Sequence, residues 1–254
     1  MQIQLLLLLA TKKTDMANPY FQFKQFTVWH DKCAMKVGTD AVLLGAWTDI
    51  TESKSILDVG TGTGIIALML AQRGTGLIDA IDIDADACAQ AKENVLASPF
   101  AERINVTHAT YSKYSASAGG RKVYDLIVSN PPYFVNSLKC PDSKRATARH
   151  TDSLPLSELI SSSRPLLSPH GRIALILPYE QLEEMKSLAQ KNTLFVSRQT
   201  DVIPVRGAQP KRLLIELSCV ETKEIIHDTL VLEEPGRQHT AEYVALTKDF
   251  YLKM

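Results

Sequence analysis

The sequence Asn130-Pro131-Pro132-Tyr133 follows an apolar run that is typical of a buried parallel strand. Its two prolines fix φ and lack amide N–H groups, so they end the strand and redirect its last carbonyl oxygens. The carboxyl edge of such a sheet is where open α/β folds bind ligands. There, the Asn130 amide oxygen and the Pro131 carbonyl oxygen can accept both N–H bonds of a planar NH2 group while the Tyr133 ring stacks on its plane. We therefore predict that Asn130, Pro131 and Tyr133 are catalytic.

A glycine-rich turn, Asp58-Val59-Gly60-Thr61-Gly62-Thr63-Gly64, lies upstream between a predicted strand and a predicted helix. It differs from the dinucleotide fingerprint, which requires a third glycine where this chain has Ile65. The tighter turn suits a ligand whose carboxylate and amine approach the backbone directly, such as S-adenosylmethionine. Together, the two motifs predict methyl transfer to a planar amino nitrogen. The predicted cofactor-binding residues of the turn are Asp58, Gly60, Gly62 and Gly64.

Side chains at the ends of the following strands are further candidates for cofactor binding. Asp82 ends the second predicted strand, where a carboxylate can accept charge-assisted hydrogen bonds from both ribose hydroxyls. Asp84 competes for this role, but it is better suited to be the N-cap of the next helix. Thr110 follows the third strand, where a side chain usually meets the adenine, although a plain loop residue is equally consistent. Asn130 is also expected to contact the cofactor.

Strands and helices alternate along the chain, which predicts βαβ units, a parallel sheet and a hairpin near the end. Residues 20–37 are predicted to form a short strand pair, Thr39 to be the N-cap of a helix ending at Trp47, and Ser112–Lys122 to be a loop. The other predicted strands are Ser55–Gly60, Leu77–Ile83, Arg103–Thr107, Val123–Ser129, Arg172–Leu177, Thr193–Val205 and Arg212–Cys219. The other predicted helices are Ile65–Arg73, Asp86–Ala97, Ser153–Leu167, Glu180–Lys191 and Thr240–Phe250.

The charge balance restricts how the chain can bind nucleic acid. The 254 residues carry no formal net charge, so attraction of RNA by the whole protein is excluded and a local patch is required. Basic residues crowd the segment after the proline motif, which predicts contacts to phosphates, the alternative being a solvated loop. The predicted RNA contacts are Pro132, Lys139, Lys144, Arg145 and Arg149.

Cysteine usage indicates the compartment. The four cysteines, Cys33, Cys88, Cys140 and Cys219, lack paired spacing, which argues against a zinc site and a disulfide framework. We therefore expect a cytoplasmic protein without a metal, and a monomer.

The N-terminus is expected to differ from the rest of the chain. The leucine run Leu5–Leu9 is too short to cross a bilayer, and lysines follow it instead of preceding it, unlike a secretory signal. We expect Met16 to be the natural start and no membrane partner. The predicted divisions are residues 1–15 as an upstream extension, 16–50 as an N-terminal arm and helix, and 51–254 as the methyltransferase domain.

The glycine turn and the Asn-Pro-Pro-Tyr motif resemble those of class I amino methyltransferases. More specifically, His30–Trp47, Pro99–Val106 and Ala245–Met254 resemble the bacterial tRNA1(Val) adenine-N6 methyltransferase family. The resemblance covers essentially residues 20–254, and His30–Trp47 is its most specific segment. It implies methylation of N6 of adenine 37, beside the anticodon, with S-adenosylmethionine.

The resemblance also carries structural implications. It implies an α/β, Rossmann-like sheet of seven mostly parallel strands, with helices on both faces and an antiparallel last strand. This chain departs from the family at Thr110. The family often has an acidic residue at this position, which meets the adenine amine of the cofactor. The residues implied to line the methionine end of the cofactor are Lys36, Gly38, Thr39 and Asp40.

Other function classes share parts of this chemistry. A glutamine-N5 methyltransferase that acts on a protein also binds a planar NH2 group. Such enzymes carry a large helical domain before the glycine turn, whereas the segment from Met16 to the turn is short, which argues against this class. An adenine-N6 methyltransferase acting on DNA or ribosomal RNA is disfavoured only by the family resemblance. A non-catalytic cofactor- or RNA-binding module has no use for the amine clamp formed by Asn130, Pro131 and Tyr133.

Overall fold

A computed structural model describes residues 18–33, 36–118, 123–132 and 154–253 of the chain. Within these ranges, one nine-stranded sheet is flanked by helices, and two short strands form a separate hairpin. The strands are β1 (Tyr20–Gln22), β2 (Thr27–Trp29), β3 (Ser55–Val59), β4 (Leu77–Asp82), β5 (Ile104–His108), β6 (Tyr124–Ser129), β7 (Leu167–Pro178), β8 (Phe195–Val205), β9 (Arg212–Ser218), β10 (Ile226–Glu234) and β11 (Gln238–His239). The helices are α1 (Thr39–Trp47), α2 (Ile65–Arg73), α3 (Ala85–Leu96), α4 (Tyr111–Ala118), α5 (Leu156–Ser163), α6 (Leu182–Lys191) and α7 (Ala241–Thr247).

The order of the large sheet is β11-β10-β8-β9-β7-β6-β3-β4-β5. The seven strands from β5 to β8 are parallel except β9, which pairs antiparallel with both β7 and β8. The predicted mostly parallel sheet with its antiparallel last strand is therefore confirmed. Two strands extend it: β10 pairs parallel with β8, and β11 pairs antiparallel with β10.

The central strands β3, β6 and β7 are buried on both faces, as the strands of parallel sheets generally are. Along β3, Ile56 belongs to one apolar cluster and Leu57 to the other, because successive side chains of a strand point to opposite faces. The first cluster contains buried residues of α1, α2, α3 and α7, and the second contains buried residues of α4, α5 and α6. Among the described helices, none is long and apolar enough to cross a bilayer.

The prediction of a loop over Ser112–Lys122 was wrong for residues 112–118, because α4 occupies them. Serine hydroxyls in this helix donate to carbonyl oxygens three residues earlier, as Ser115 does to Ser112 at 3.1 Å. The buried Tyr111 anchors the start of the helix to the second cluster. Serine-rich composition is typical of loops because serine hydroxyls compete with helical hydrogen bonds, and here the packing of Tyr111 outweighs that preference.

Several predicted helix ends also differ from the structure, and two of the differences have a local explanation. Thr39 is the first residue of α1 and Gly38 is its N-cap, with no side-chain capping bond. The helix predicted to reach Leu167 ends at Ser163 and continues as a 3-10 turn over Arg164–Leu166. Pro165 explains this change, because a proline ring is incompatible with the carbonyl of the preceding helical turn.

The N-terminal hairpin is joined to α3 by buried side-chain hydrogen bonds. Asn94, which is fully buried, accepts from the Trp29 backbone N–H at 2.9 Å and donates to the Trp29 carbonyl at 2.9 Å. The same amide group donates to the Thr63 carbonyl in the glycine turn at 2.9 Å. One side chain therefore connects the hairpin, α3 and the turn.

Candidate active site

The glycine turn joins β3 to α2 at the carboxyl edge of the sheet. Gly60, Gly62 and Gly64 have φ values of 73°, 55° and 82°, in the left-handed region that favours glycine. A Cβ atom on Gly60 or Gly62 would meet no atom of the described residues within 4 Å, so these two glycines leave space that a side chain would fill. A Cβ atom on Gly64 would lie 3.4 Å from the Ala91 side chain, so this glycine packs against α3.

A cavity of about 380 Å³ lies over the carboxyl ends of β3, β4, β5 and β6. Its volume falls within the range of roughly 300–1,000 Å³ that is usual for small-molecule sites. The turn, the ends of β4 and β5, and the residues after β6 all contribute to its lining. The predicted site residues that line it are Gly60, Gly62, Asp82, Thr110, Asn130, Pro131 and Pro132.

Asp58 lies beneath the turn and is fully buried. Its Oδ2 atom accepts a hydrogen bond from the Thr61 hydroxyl at 2.6 Å, whereas its buried Oδ1 atom has no partner within the described residues. Burial raises the pKa of this carboxyl to about 7. An unpartnered buried carboxylate oxygen is suited to interact with a cationic group placed on the turn.

Asp82 is the last residue of β4, so the strand stops where the ribose-binding prediction requires. Its two oxygens accept backbone N–H bonds from Gly62 at 2.8 Å and from Asp84 at 2.9 Å. Burial raises the pKa of the Asp82 carboxyl above its ordinary value. Asp84 instead caps α3, accepting from the backbone N–H groups of Asp86 at 2.8 Å and Ala87 at 3.3 Å.

Asn130 follows β6 at the centre of the edge. The Ser129 hydroxyl donates to the Val59 carbonyl at 2.7 Å, which fastens the end of β6 to the end of β3 beside the turn. Asn130 is partly buried, Pro131 is buried and Pro132 is exposed, and all three line the cavity. The residues after β6 and the glycine turn therefore line the same cavity.

Comparisons with known proteins identify the family. Residues 33–196 match the model of the family described as "Methyltransferase small domain". Over 239 residues the chain is 58% identical to the tRNA1(Val) (adenine(37)-N6)-methyltransferase of Parabacteroides distasonis, covering 94% of this chain and 100% of the relative. The protein of the same name from Bacteroides fragilis is 50% identical with the same coverage. The chain belongs to the tRNA1(Val) (adenine(37)-N6)-methyltransferase family.

A solved structure agrees on the fold. A predicted O-methyltransferase from Agrobacterium tumefaciens aligns with a TM-score of 0.64 and 19% identity, covering 83% of this chain and 96% of that protein. At this identity the likeness concerns the fold alone, which is that of class I methyltransferases.

The cavity of this methyltransferase fits S-adenosylmethionine, the cofactor of its family. Gly60 and Gly62 line the cavity without side chains, and a buried Asp58 oxygen beneath them has no partner among the described residues. The roles of these residues at the amino-acid end of the cofactor stay predictions. The Asp82 carboxylate lines the same cavity, and its contact with the ribose hydroxyls stays a prediction. Among the described residues, no group of three or more His, Cys, Asp and Glu side chains is arranged to hold a metal ion.

Several predicted site residues of the methyltransferase lie elsewhere. Lys36, Gly38, Thr39 and Asp40 do not line the cavity, and the Asp40 carboxylate instead pairs with Arg212 at 2.8 Å. Their role at the methionine end of the cofactor stays a prediction. The same holds for residues outside the described ranges, namely Tyr133, Lys139, Lys144, Arg145 and Arg149.

The cavity also contains residues that the sequence analysis did not identify. Cys33 lines it, and desolvation together with nearby aspartates raises the pKa of this thiol to about 11, which favours its neutral form. Tyr111 lines it from the start of α4, and Leu154 and Glu158 line it from the region of α5. Cys33 lies within the family-specific segment, whereas no motif marks Leu154 or Glu158.

The ionisation of Asp58 makes stability depend on pH. Because its native pKa of about 7 exceeds the ordinary value near 4, the folded protein binds more protons than the unfolded chain between these pH values. The free energy of unfolding should therefore fall as pH rises through this window. We expect Asp58→Asn to flatten the fall, as measured by urea unfolding at several pH values. Asp31→Asn, at an exposed carboxylate, is the control, and equal slopes in all three proteins would contradict the assignment.

Proposed function

We propose that this protein transfers the methyl group of S-adenosylmethionine to N6 of adenine 37 in tRNA1(Val), producing N6-methyladenine. The observation that carries the proposal is the position of Asn130 and Pro131 at the cavity, in a chain 58% identical over 239 residues to a relative of that name.

The mechanism assigns distinct roles to the residues after β6. When bound, the cofactor supplies an electrophilic methyl group. The N6 amine of adenine is a poor nucleophile because its lone pair is delocalised into the ring. The Asn130 side-chain oxygen and the Pro131 carbonyl accept its two N–H bonds, which holds the nitrogen near tetrahedral geometry and directs its lone pair into the cavity. No strong general base is needed, because the proton leaves after the nitrogen has become cationic.

The target base must also be extracted and held. Unstacking a base costs a few kcal/mol, and least in a loop such as that of the anticodon. We propose that Tyr133 stacks on the adenine, which contributes roughly 1–3 kcal/mol. Pro132 is exposed beside the cavity, where it can contact the flanking nucleotides.

We further propose that the basic segment after this motif binds the RNA backbone through Lys139, Lys144, Arg145 and Arg149. Phosphate contacts release counterions, so the affinity for tRNA should fall steeply with salt. A flat salt profile would argue against this role.

One labelling experiment tests the activity. The purified protein is incubated with methyl-labelled S-adenosylmethionine and separate pools of tRNA, DNA and protein from cells lacking the enzyme. We expect label in tRNA1(Val) as N6-methyladenine, and none in a tRNA1(Val) transcript with guanosine at position 37. Label in glutamine of the protein pool, or in DNA alone, would contradict the proposal.

The compartment and the assembly belong to the same proposal. We propose that the enzyme acts as a monomer in the cytoplasm, where tRNA is modified. In support, the described cysteines Cys33, Cys88 and Cys219 are unpaired. Light scattering after size exclusion measures the mass, and fractionation of cells measures the location.

A further inference from the structure

Three carboxylates line the candidate cavity within the described residues, and they differ in their hydrogen-bond partners. The Asp82 oxygens accept backbone N–H bonds from Gly62 and Asp84. The Asp84 carboxylate accepts two backbone N–H bonds from the first turn of α3. The third, Glu158, is partly buried, and no described residue donates a hydrogen bond to its carboxylate. Its carboxylate is therefore available to a ligand in the cavity.

The position of Glu158 is fixed by the packing of α5. The buried hydroxyls of Tyr111 and Ser163 lie 2.7 Å apart, which fastens α5 to the residues that follow β5. Tyr111 and Glu158 line the same cavity. Glu158 therefore lies on the side of the cavity formed by α5 and the start of α4.

The order of Asn130 and Asp82 along the cavity indicates which part of the cofactor would lie near Glu158. If Asn130 holds the substrate amine and Asp82 binds the ribose, as the sequence predicts, the adenine of the cofactor would lie beyond Asp82. Apolar side chains there are suited to the faces of a purine, and Ile83, Ala109 and Leu154 supply them. The exocyclic amine of that purine needs hydrogen-bond acceptors at its edge.

Thr110 is a weak candidate for that acceptor. Its hydroxyl accepts from the Lys113 backbone N–H at 3.3 Å and lies 3.4 Å from the Ser112 hydroxyl, so it is used at the start of α4. A carboxylate is the stronger acceptor because its hydrogen bonds are charge-assisted.

We propose that the Glu158 carboxylate accepts a hydrogen bond from the exocyclic amine of the cofactor adenine and so selects adenine over other purines. The inference rests on the proposed function, because it takes S-adenosylmethionine as the cofactor. Glu158 is also the third residue of α5, where a negative charge stabilises a helix, and the test must separate the two roles.

The test compares binding of two product analogues by calorimetry. S-adenosylhomocysteine carries the amine, and S-inosylhomocysteine carries an oxygen in its place. We expect the wild-type protein to prefer the adenosyl compound by roughly ten-fold or more, because a hydrogen bond to a charged group is lost. Glu158→Ala should reduce this preference to about two-fold or less. Glu184→Ala is the matched control, since Glu184 is the third residue of α6 and does not line the cavity.

The outcomes separate this inference from the proposed function. No preference in the wild-type protein, or a preference retained in Glu158→Ala, would overturn the role of Glu158. Failure of the wild-type protein to bind either compound would overturn both proposals. An intact, Glu158-dependent preference without methylation of tRNA would overturn the proposed function alone. A loss of stability common to both alanine variants, with the preference unchanged, would assign Glu158 to the helix.

Discussion

Replacing Asn130 with alanine is expected to lower kcat for tRNA methylation by roughly 100- to 1,000-fold, the usual effect of removing one transition-state hydrogen-bonding group. The loss should fall on turnover because the amide oxygen holds the amine in its reactive geometry. The affinity for S-adenosylhomocysteine should change little, since the glycine turn and Asp82 supply the other contacts. Single-turnover kinetics and calorimetry measure the two quantities.

The control for this variant is Asn105→Ala. Asn105 is exposed on β5 and donates to Asp79 at 3.1 Å, away from the cavity lining. It should retain full turnover. If Asn130→Ala lost cofactor affinity as much as turnover, its role would be to support the end of the strand and not to hold the substrate.

Replacing Asp82 with alanine is expected to weaken binding of S-adenosylhomocysteine by roughly 10- to 100-fold, because charge-assisted bonds to the ribose are lost. The bond from Asp82 to the Gly62 N–H is lost as well, which loosens the turn. Calorimetry measures the affinity.

Asp84→Ala is the matched comparison, because Asp84 lies two residues further and lines the same cavity. It should cost about 1 kcal/mol of unfolding free energy through loss of the α3 cap, with nearly unchanged affinity. The opposite pattern, with affinity lost only in Asp84→Ala, would assign the ribose to Asp84.

Elements with strong local signals in the sequence were predicted well. Ile65–Arg73 was predicted with the observed bounds, because a glycine turn marks its start and Gly74 follows its end. By contrast, β10 was not predicted. Ile226–Glu234 shows no regular alternation of apolar and polar residues, and in the structure only Leu230 of these nine residues is buried. Its pairing with β8 depends on tertiary context that a local pattern does not contain.

The site residues that follow predicted strands could be predicted from the sequence, whereas Glu158 could not. Gly60, Asp82 and Asn130 each stand at the end of a predicted strand, and parallel strands bring such positions to one edge. Glu158 enters the cavity from α5, whose placement depends on the long-range bond between Tyr111 and Ser163. No spacing in the sequence encodes that contact.

The Asn94 bridge has a consequence for dynamics. Because this amide bonds both the Trp29 backbone and the Thr63 carbonyl, the outer hairpin and the cofactor-binding turn should open together. Ligand occupancy of the turn should then slow deuterium uptake at the Trp29 amide, although that amide lies outside the cavity lining. Protection confined to the turn would show that the two segments fluctuate independently.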